Sequence, residues 1–295
     1  MIHEKGKLTS KDGLRLSYGY WLPDEPTKAT VVVVHGVHEH MGRYKHVLEA
    51  LVARGYAAFA LDHRGHGESE GPRGFVPQFD YFVEDLHLLV QEARDAAPRL
   101  PLFLVGHSLG SLIAIRYTLR HQEELDGLVV SGVALQVGEH VSPFLKKIGS
   151  LLSKFAPHLA MVDAAPAGEN PLSRDPEIAR LWDSDPLVYR GKTKARIAWE
   201  IYLAAQDTAR RVSDLHLPLL IMHGSADTMA IPTGAQRMYE QVRSTDKTLK
   251  LWDDCRHEIF NELEKGEVIA YMMDWLDERA ASKANARQAE GNSVA

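Results

Sequence analysis

One cysteine, Cys255, stands among 295 residues, so the chain can form no internal disulfide, which fits a reducing compartment. No apolar run approaches the ~20 residues that a membrane-spanning helix needs. The opening residues, Met1-Ile2-His3-Glu4-Lys5-Gly6-Lys7, lack the apolar segment of a secretory signal. Positive charge is not in excess. Lys and Arg number 34 against 40 Asp and Glu, a net charge of −6 spread without blocks of one sign. That argues against a nucleic-acid partner, which requires a basic face. These absences lead to the expectation of a soluble, cytoplasmic protein. What is present is 45% apolar residues, enough to bury one large α/β core with an insert, or two modest domains.

Short apolar runs alternate with longer amphipathic ones. Leu14–Trp21, Thr30–His35, Tyr56–Leu61, Pro101–Val105 and Leu128–Ser131 read as strands; Arg43–Arg54, Phe79–Ala96 and Leu109–Gln122 read as helices. Thr30–His35 is apolar without alternation, as expected of a strand covered on both faces. The rhythm breaks between about Gln136 and Ala205 and resumes as Pro218–His223, Thr233–Val242, Lys247–Trp252 and Glu267–Arg279, again strand and helix in turn. The pattern predicts an α/β fold, a mostly parallel sheet with helices on both faces. Core residues are expected at 1–135 and 206–280, a helical cap insert at 136–205, and a disordered tail at 281–295, where the residues are small and polar without apolar rhythm.

Within the insert, Phe144, Ile148, Leu151 and Phe155 share a helical face with Leu145 and Leu152, while Lys146, Lys147 and Lys154 fall away from it. This face either packs inside the insert or rests on a lipid surface. Pro157–Pro186 is rich in Pro, Ala and Asp and reads as irregular, with a further helix from about Lys192.

The chemistry centres on Gly106-His107-Ser108-Leu109-Gly110, which follows the apolar run Pro101–Val105 directly. A buried strand entering G-x-S-x-G predicts a sharp strand-to-helix turn that presents the serine. The pentapeptide alone arises by chance in roughly one such chain in ten, so its surroundings must carry the assignment. They do. A serine hydroxyl needs an adjacent base, itself oriented by a carboxylate, in the chain order Ser…Asp/Glu…His. Asp227 lies just past the strand Pro218–His223, and His257 just past Lys247–Trp252, on the same sheet edge as Ser108. Leu109 and Val37, the latter in the loop after Thr30–His35, are the candidate backbone N–H donors to an oxyanion.

The histidines His35, His38, His40, His46, His63, His66 and His107 show no zinc-binding spacing, and His257-Glu258-Ile259-Phe260-Asn261 has asparagine where a zinc helix needs its second histidine. Gly191-Lys192-Thr193 resembles a phosphate loop, but Pro186 stands at the place of its first glycine. No metal and no nucleotide is expected.

The chain resembles the monoacylglycerol lipase branch of the α/β-hydrolases, on several strings. They are His35-Gly36-Val37-His38-Glu39-His40-Met41-Gly42-Arg43-Tyr44, Asp62-His63-Arg64-Gly65-His66-Gly67-Glu68-Ser69, Gly106–Gly110, Ser173-Arg174-Asp175-Pro176, Asp185-Pro186-Leu187-Val188, Gly224-Ser225-Ala226-Asp227 and His257–Glu262. The H-G-x-x-E-H-x-x-R-Y string with the matching insert is the specific part. The resemblance implies Ser108 as nucleophile, His257 as base, Asp227 as its orienter, and Val37 and Leu109 as oxyanion donors. It also implies Glu39 and Arg43 in the wall around the glycerol end of a lipid monoester, a cofactor-free reaction, and transient contact of the cap with a membrane surface. Animal members carry a histidine three residues after the catalytic one; here Phe260 stands there. A broad carboxylesterase or lysophospholipase of the same fold, and a catalytically inactive binding module, are the rival functions.

Overall fold

The computed structural model describes residues 2–138, 141–162 and 170–293. Ten strands and eight α-helices follow in chain order among these residues: β1 Ile2–Thr9, β2 Arg15–Leu22, β3 Ala29–Val34, α1 Lys45–Ala53, β4 Tyr56–Leu61, α2 Asp80–Ala96, β5 Leu102–His107, α3 Leu109–His121, β6 Gly127–Ser131, α4 Pro143–Phe155, β7 Ala160–Val162, α5 Pro176–Ser184, β8 Thr193–Lys194, α6 Ala195–Arg211, β9 Leu219–Gly224, α7 Thr233–Gln241, β10 Lys247–Trp252 and α8 Lys265–Ser293. Eight strands form one sheet in the order β1-β2-β4-β3-β5-β6-β9-β10. β1 and β2 are antiparallel additions, and from β4 onward every neighbouring pair is parallel.

The central strands are apolar on both sides because both sides are covered. In β3, Val32 and Val34 join the core layer beneath α2 and α3, while Val31 and Val33 join the layer beneath α1 and α8. Strand order reverses at β3, which has β4 on one side and β5 on the other. Loops leaving neighbouring strands at such a point diverge and open a crevice at the carboxyl edge. The loops after β3 and β5 are the two that carry Val37 and Ser108.

The insert differs from its sequence reading in two places. First, α5 occupies part of the stretch expected to be irregular. Asp175 caps it by accepting from the Glu177 N–H at 3.0 Å, and Pro176 takes the first helical position, so Asp-Pro here starts a helix. Second, Thr193–Lys194 pairs with Ala160–Val162 as a small ribbon, and α6 begins only at Ala195, running on to Arg211, past residue 205. α4 forms where the sequence reads an amphipathic helix, and its apolar stripe faces outward. Phe144 and Phe155 are 71% and 74% exposed. The small and polar side packs on α6, where Arg196 donates to the buried Ser153 Oγ at 3.2 Å and the Lys146 ammonium lies 5.3 Å from the Tyr202 ring centre.

The stretch 281–295, read as a disordered tail, begins within the last helix. α8 continues through Ser293, and only residues 294–295 of the stretch 281–295 lie outside the described residues. Five of the fifteen residues there are Ala, the strongest helix former, which favours helix without needing an apolar face. The edge strand β1, with charged residues and no apolar alternation, went unread as a strand; it pairs along its whole length with β2.

Candidate active site

Ser108 sits at φ 52° and ψ −118°, between β5 and the first turn of α3. The geometry depends on Gly110, where a Cβ would lie 2.0 Å from the Val34 carbonyl oxygen, and on Gly106, where one would lie 2.5 Å from the Gly110 oxygen. The turn is fixed by the Ser108 N–H donating to the Ser131 carbonyl at 2.9 Å. α3 therefore points its N-terminal N–H groups, Leu109 first, at the space in front of the serine.

That space is a cavity of about 60 Å³ lined by Gly36, Val37, His38, Glu39, His107, Ser108, Leu172, Trp182, Thr193, Met229, His257 and Glu258. Ser108, Val37, Glu39 and His257 thus share one wall-to-wall site, and the insert supplies Leu172, Trp182 and Thr193. Asp227 stands behind His257: its Oδ2 is 2.8 Å from His257 Nδ1. Its Oδ1 accepts the N–H groups of Met229 and Ala230 at 2.8 and 2.9 Å. Asp253 and Asp254, the other carboxylates near His257 in the chain, are exposed.

Burial pushes the Asp227 carboxyl upward, but the charge of His257 and hydrogen bonds from His257 and His223 outweigh it, so it stays ionised far below the usual carboxylate range. Burial would likewise depress His257; the Asp227 charge and hydrogen bond overcome this and raise its pKa above 6.5. His107, with rings 4.8 Å apart from His257, is driven down to about 3 by burial and by its neighbour, and is neutral. His257 is the one of the two able to take a proton.

Glu39 and Arg43 are brought to the site in different ways. The Glu39 Oε1 accepts the Gly36 N–H at 2.5 Å and the Tyr44 hydroxyl at 2.8 Å, which ties the carboxylate to the loop carrying Val37. Arg43 donates to Glu39 Oε2 at 2.7 Å and makes two 2.7 Å bonds to Glu258. The Trp182 ring covers its guanidinium at 4.8 Å, so Arg43 stands behind the lining residues while Glu39 is one of them.

The chain matches the family model described as serine aminopeptidase, S33, over residues 25–264. The chain belongs to that family. It is 37% identical over 266 residues to the monoacylglycerol lipase of Mycolicibacterium smegmatis, covering 90% of this chain and 93% of that one. To the monoglyceride lipase of Homo sapiens it is 33% identical over 282 residues, covering 95% and 92%. The crystal structure of Paleococcus ferrophilus monoacylglycerol lipase superposes with a TM-score of 0.78 at 27% identity, covering 95% of this chain and all of that one. The α/β-hydrolase fold expected from the sequence is the one found.

Within this family member, the quoted insert strings serve as ties between insert and core. Asp185 pairs with His40 at 2.8 Å, the Ser173 hydroxyl donates to the Asn261 carbonyl at 3.0 Å, and Leu172 accepts the Glu258 N–H at 2.7 Å. The histidine-rich strings lock loops to one another: His35 Nε2 accepts the His63 N–H at 3.0 Å, and the His63 ring bonds the His35 carbonyl at 2.9 Å. Among the described residues, one His/Glu group has its ligand atoms within 4.8 Å of each other, namely His87, His121 and Glu124. It lies at the far end of α3 from Ser108.

Sequence reasoning missed His223 and Glu258. His223 Nδ1 accepts the Val133 N–H at 3.3 Å, which leaves the proton on Nε2, 2.6 Å from the Ala230 carbonyl and 3.1 Å from Asp227 Oδ2. Its only sequence signal was its position at the end of β9, four residues before the aspartate. Glu258 was visible as the neighbour of His257 and as part of the His257–Glu262 string, but no role was read for it.

Proposed function

We propose that this chain is a serine ester hydrolase that splits monoacylglycerols into glycerol and fatty acid. The observation that carries the reading is the 2.8 Å His257–Asp227 bond beside the strained Ser108 turn, in a chain whose relatives include proteins named monoacylglycerol lipase. The Ser108 hydroxyl attacks the ester carbonyl carbon while His257 Nε2 takes its proton. The N–H groups of Val37 and Leu109 hold the oxyanion that forms. Collapse breaks the bond to the glycerol oxygen, which leaves with the proton from His257. Water, deprotonated by the same histidine, then attacks the acyl-serine and releases the fatty acid. Asp227 keeps His257 in the tautomer with its free electron pair on Nε2. The reaction needs no cofactor.

Residues 136–205 act as a cap over this site and hold an apolar tunnel for the acyl chain; residues 139–140 and 163–169 lie outside the described residues. Glu39 meets the glycerol hydroxyls, and Arg43 holds Glu39 in place. No helix among the described residues is long and apolar enough to cross a membrane. The outward stripe of α4, with Lys147 and Lys154 also exposed, makes reversible contact with the lipid surface from which the monoester comes.

A panel of monoacyl-, diacyl- and triacylglycerols, a lysophospholipid and simple alkyl esters of one fatty acid tests this reading. The monoacylglycerol is expected to have the highest kcat/KM. Equal rates on every ester would make the protein a broad carboxylesterase; a preference for lysophospholipid would make it a lysophospholipase; and failure of Ser108 to react with a fluorophosphonate would leave a binding module.

A further inference from the structure

His38, next to the oxyanion donor Val37, has a set of properties that ester hydrolysis by the residues above leaves unexplained. Its backbone is at φ 68°, in the left-handed region that disfavours residues bearing a Cβ. The H-G-x-x-E-H pattern does not specify this position, so nothing in the motif requires a histidine there. The residue is 1% exposed, and neither ring nitrogen has a hydrogen-bond partner. Its ring lies 6.4 Å from that of His66 and edge-on to Tyr189 at 5.0 Å. Burial, together with the nearby Lys194 charge, brings its pKa down to about 4, so the ring is neutral and offers one N–H donor and one acceptor. Yet it lines the cavity that also contains Ser108, Glu39 and His257.

Backbone strain and two unmet buried polar atoms on a single residue persist only where something else compensates, and such features cluster at ligand sites. The ester carbonyl oxygen goes to Val37 and Leu109, and an acyl chain has no group to offer an imidazole. The alcohol part of the ester does. A hydroxyl is both donor and acceptor, which matches the neutral ring.

We propose that His38 is a specificity residue whose imidazole hydrogen-bonds the free hydroxyls of the substrate's alcohol part, so that the enzyme favours esters of polyols over esters of simple alcohols. This rests on the monoacylglycerol reading above and names a residue that imposes it. His38 does not replace His257 as base, since it has no carboxylate partner to stabilise its protonated form.

The test compares 1-monodecanoylglycerol with ethyl decanoate in the wild-type protein, His38→Gly and His38→Asn. The two substrates share the acyl chain and ester and differ in the extra hydroxyls. Glycine adopts φ 68° without strain, so the oxyanion loop keeps its path; asparagine also tolerates it and keeps a donor and an acceptor. The ratio of kcat/KM for the glycerol ester to that for the ethyl ester is expected to fall about tenfold in His38→Gly and less in His38→Asn. The Tm of His38→Gly is expected to rise, because strain and unmet groups are removed together. A wild-type ratio well above one that persists unchanged in His38→Gly overturns the role of His38 and leaves the monoacylglycerol reading standing. A wild-type ratio near one overturns both.

Discussion

The carboxyl edge of the sheet and the insert between β6 and β9 handle polarity in opposite ways. At the sheet edge, charged groups are buried and satisfied: Arg43 lies between Glu39 and Glu258, and Asp227 collects bonds from two histidines and two backbone N–H groups. In the insert, α4 buries Ser153 and exposes Phe144 and Phe155. An apolar stripe is therefore no proof of a core-facing side. What a helix buries depends on its neighbour, and α6 offers α4 the polar partner Arg196, the Tyr202 ring beside Lys146 and the Trp199 ring, against which Gly149 lies. A buried polar network holds atoms in one arrangement, as chemistry requires; an exposed apolar surface suits contact with something that is itself apolar.

The largest effect is expected where the sheet edge is cut at its centre. Ser108→Ala is expected to lower kcat by roughly 10⁴–10⁶ with the fold intact, leaving what binding and the oxyanion donors supply. Steady-state hydrolysis of a soluble ester, with circular dichroism for the fold, measures it. A variant that keeps a tenth of the wild-type rate rules out Ser108 as nucleophile.

Asp227→Asn comes next, with a smaller loss in kcat, because the base loses its orienter while the nucleophile remains. The pH profile sharpens the point. His257 works only when neutral, and Asp227 raises its pKa above 6.5, so kcat/KM of the wild type rises as pH passes upward through that raised value. Without the carboxylate charge the limb moves to lower pH. A limb that stays where it was would mean that His257 is not the titrating base.

Much of this half of the molecule was legible in the sequence. Strands apolar on both faces announce themselves by continuous Val and Leu, and G-x-S-x-G, Asp227 and His257 all fall just past strand ends, where an α/β sheet puts its ligands. Glu258 and His223 were not legible, since their roles come from partners 215 residues away, Arg43, and from a backbone N–H in another loop, Val133. The insert was harder. Period and composition found α4 but not its orientation, and missed α5 because Asp-Pro reads equally as a turn.

Arg43→Ala tests whether the buried pairing at the sheet edge is structural. It would leave Glu39 and Glu258, both almost fully buried, facing each other without their cation, and the loss of one partner from such a group costs about 3–5 kcal/mol. Thermal or denaturant unfolding is expected to show that loss. Glu39→Gln, which removes one of the two carboxylates instead, is expected to cost less, because Arg43 keeps its two bonds to Glu258. Equal destabilisation by both would mean that the hydrogen bonds of Glu39 to Gly36 and Tyr44, rather than charge balance, hold the loop.

The smallest effect belongs to α4, and its size depends on how the substrate is presented. Replacing Phe144 and Phe155 by Ser is expected to leave the Tm nearly unchanged or to raise it slightly, since side chains so exposed contribute little burial. Hydrolysis of a short soluble ester is expected to stay as in the wild type. On monoacylglycerol dispersed in phospholipid vesicles the rate is expected to fall about tenfold, because two large aromatic side chains give up ~1–2 kcal/mol or more of transfer into the lipid surface. Vesicle flotation measures the same loss as binding. If the double variant instead unfolds at a clearly lower temperature and slows equally on both substrates, the stripe packs against part of the protein, and the contrast between a polar interior at the sheet edge and an apolar exterior on the insert fails.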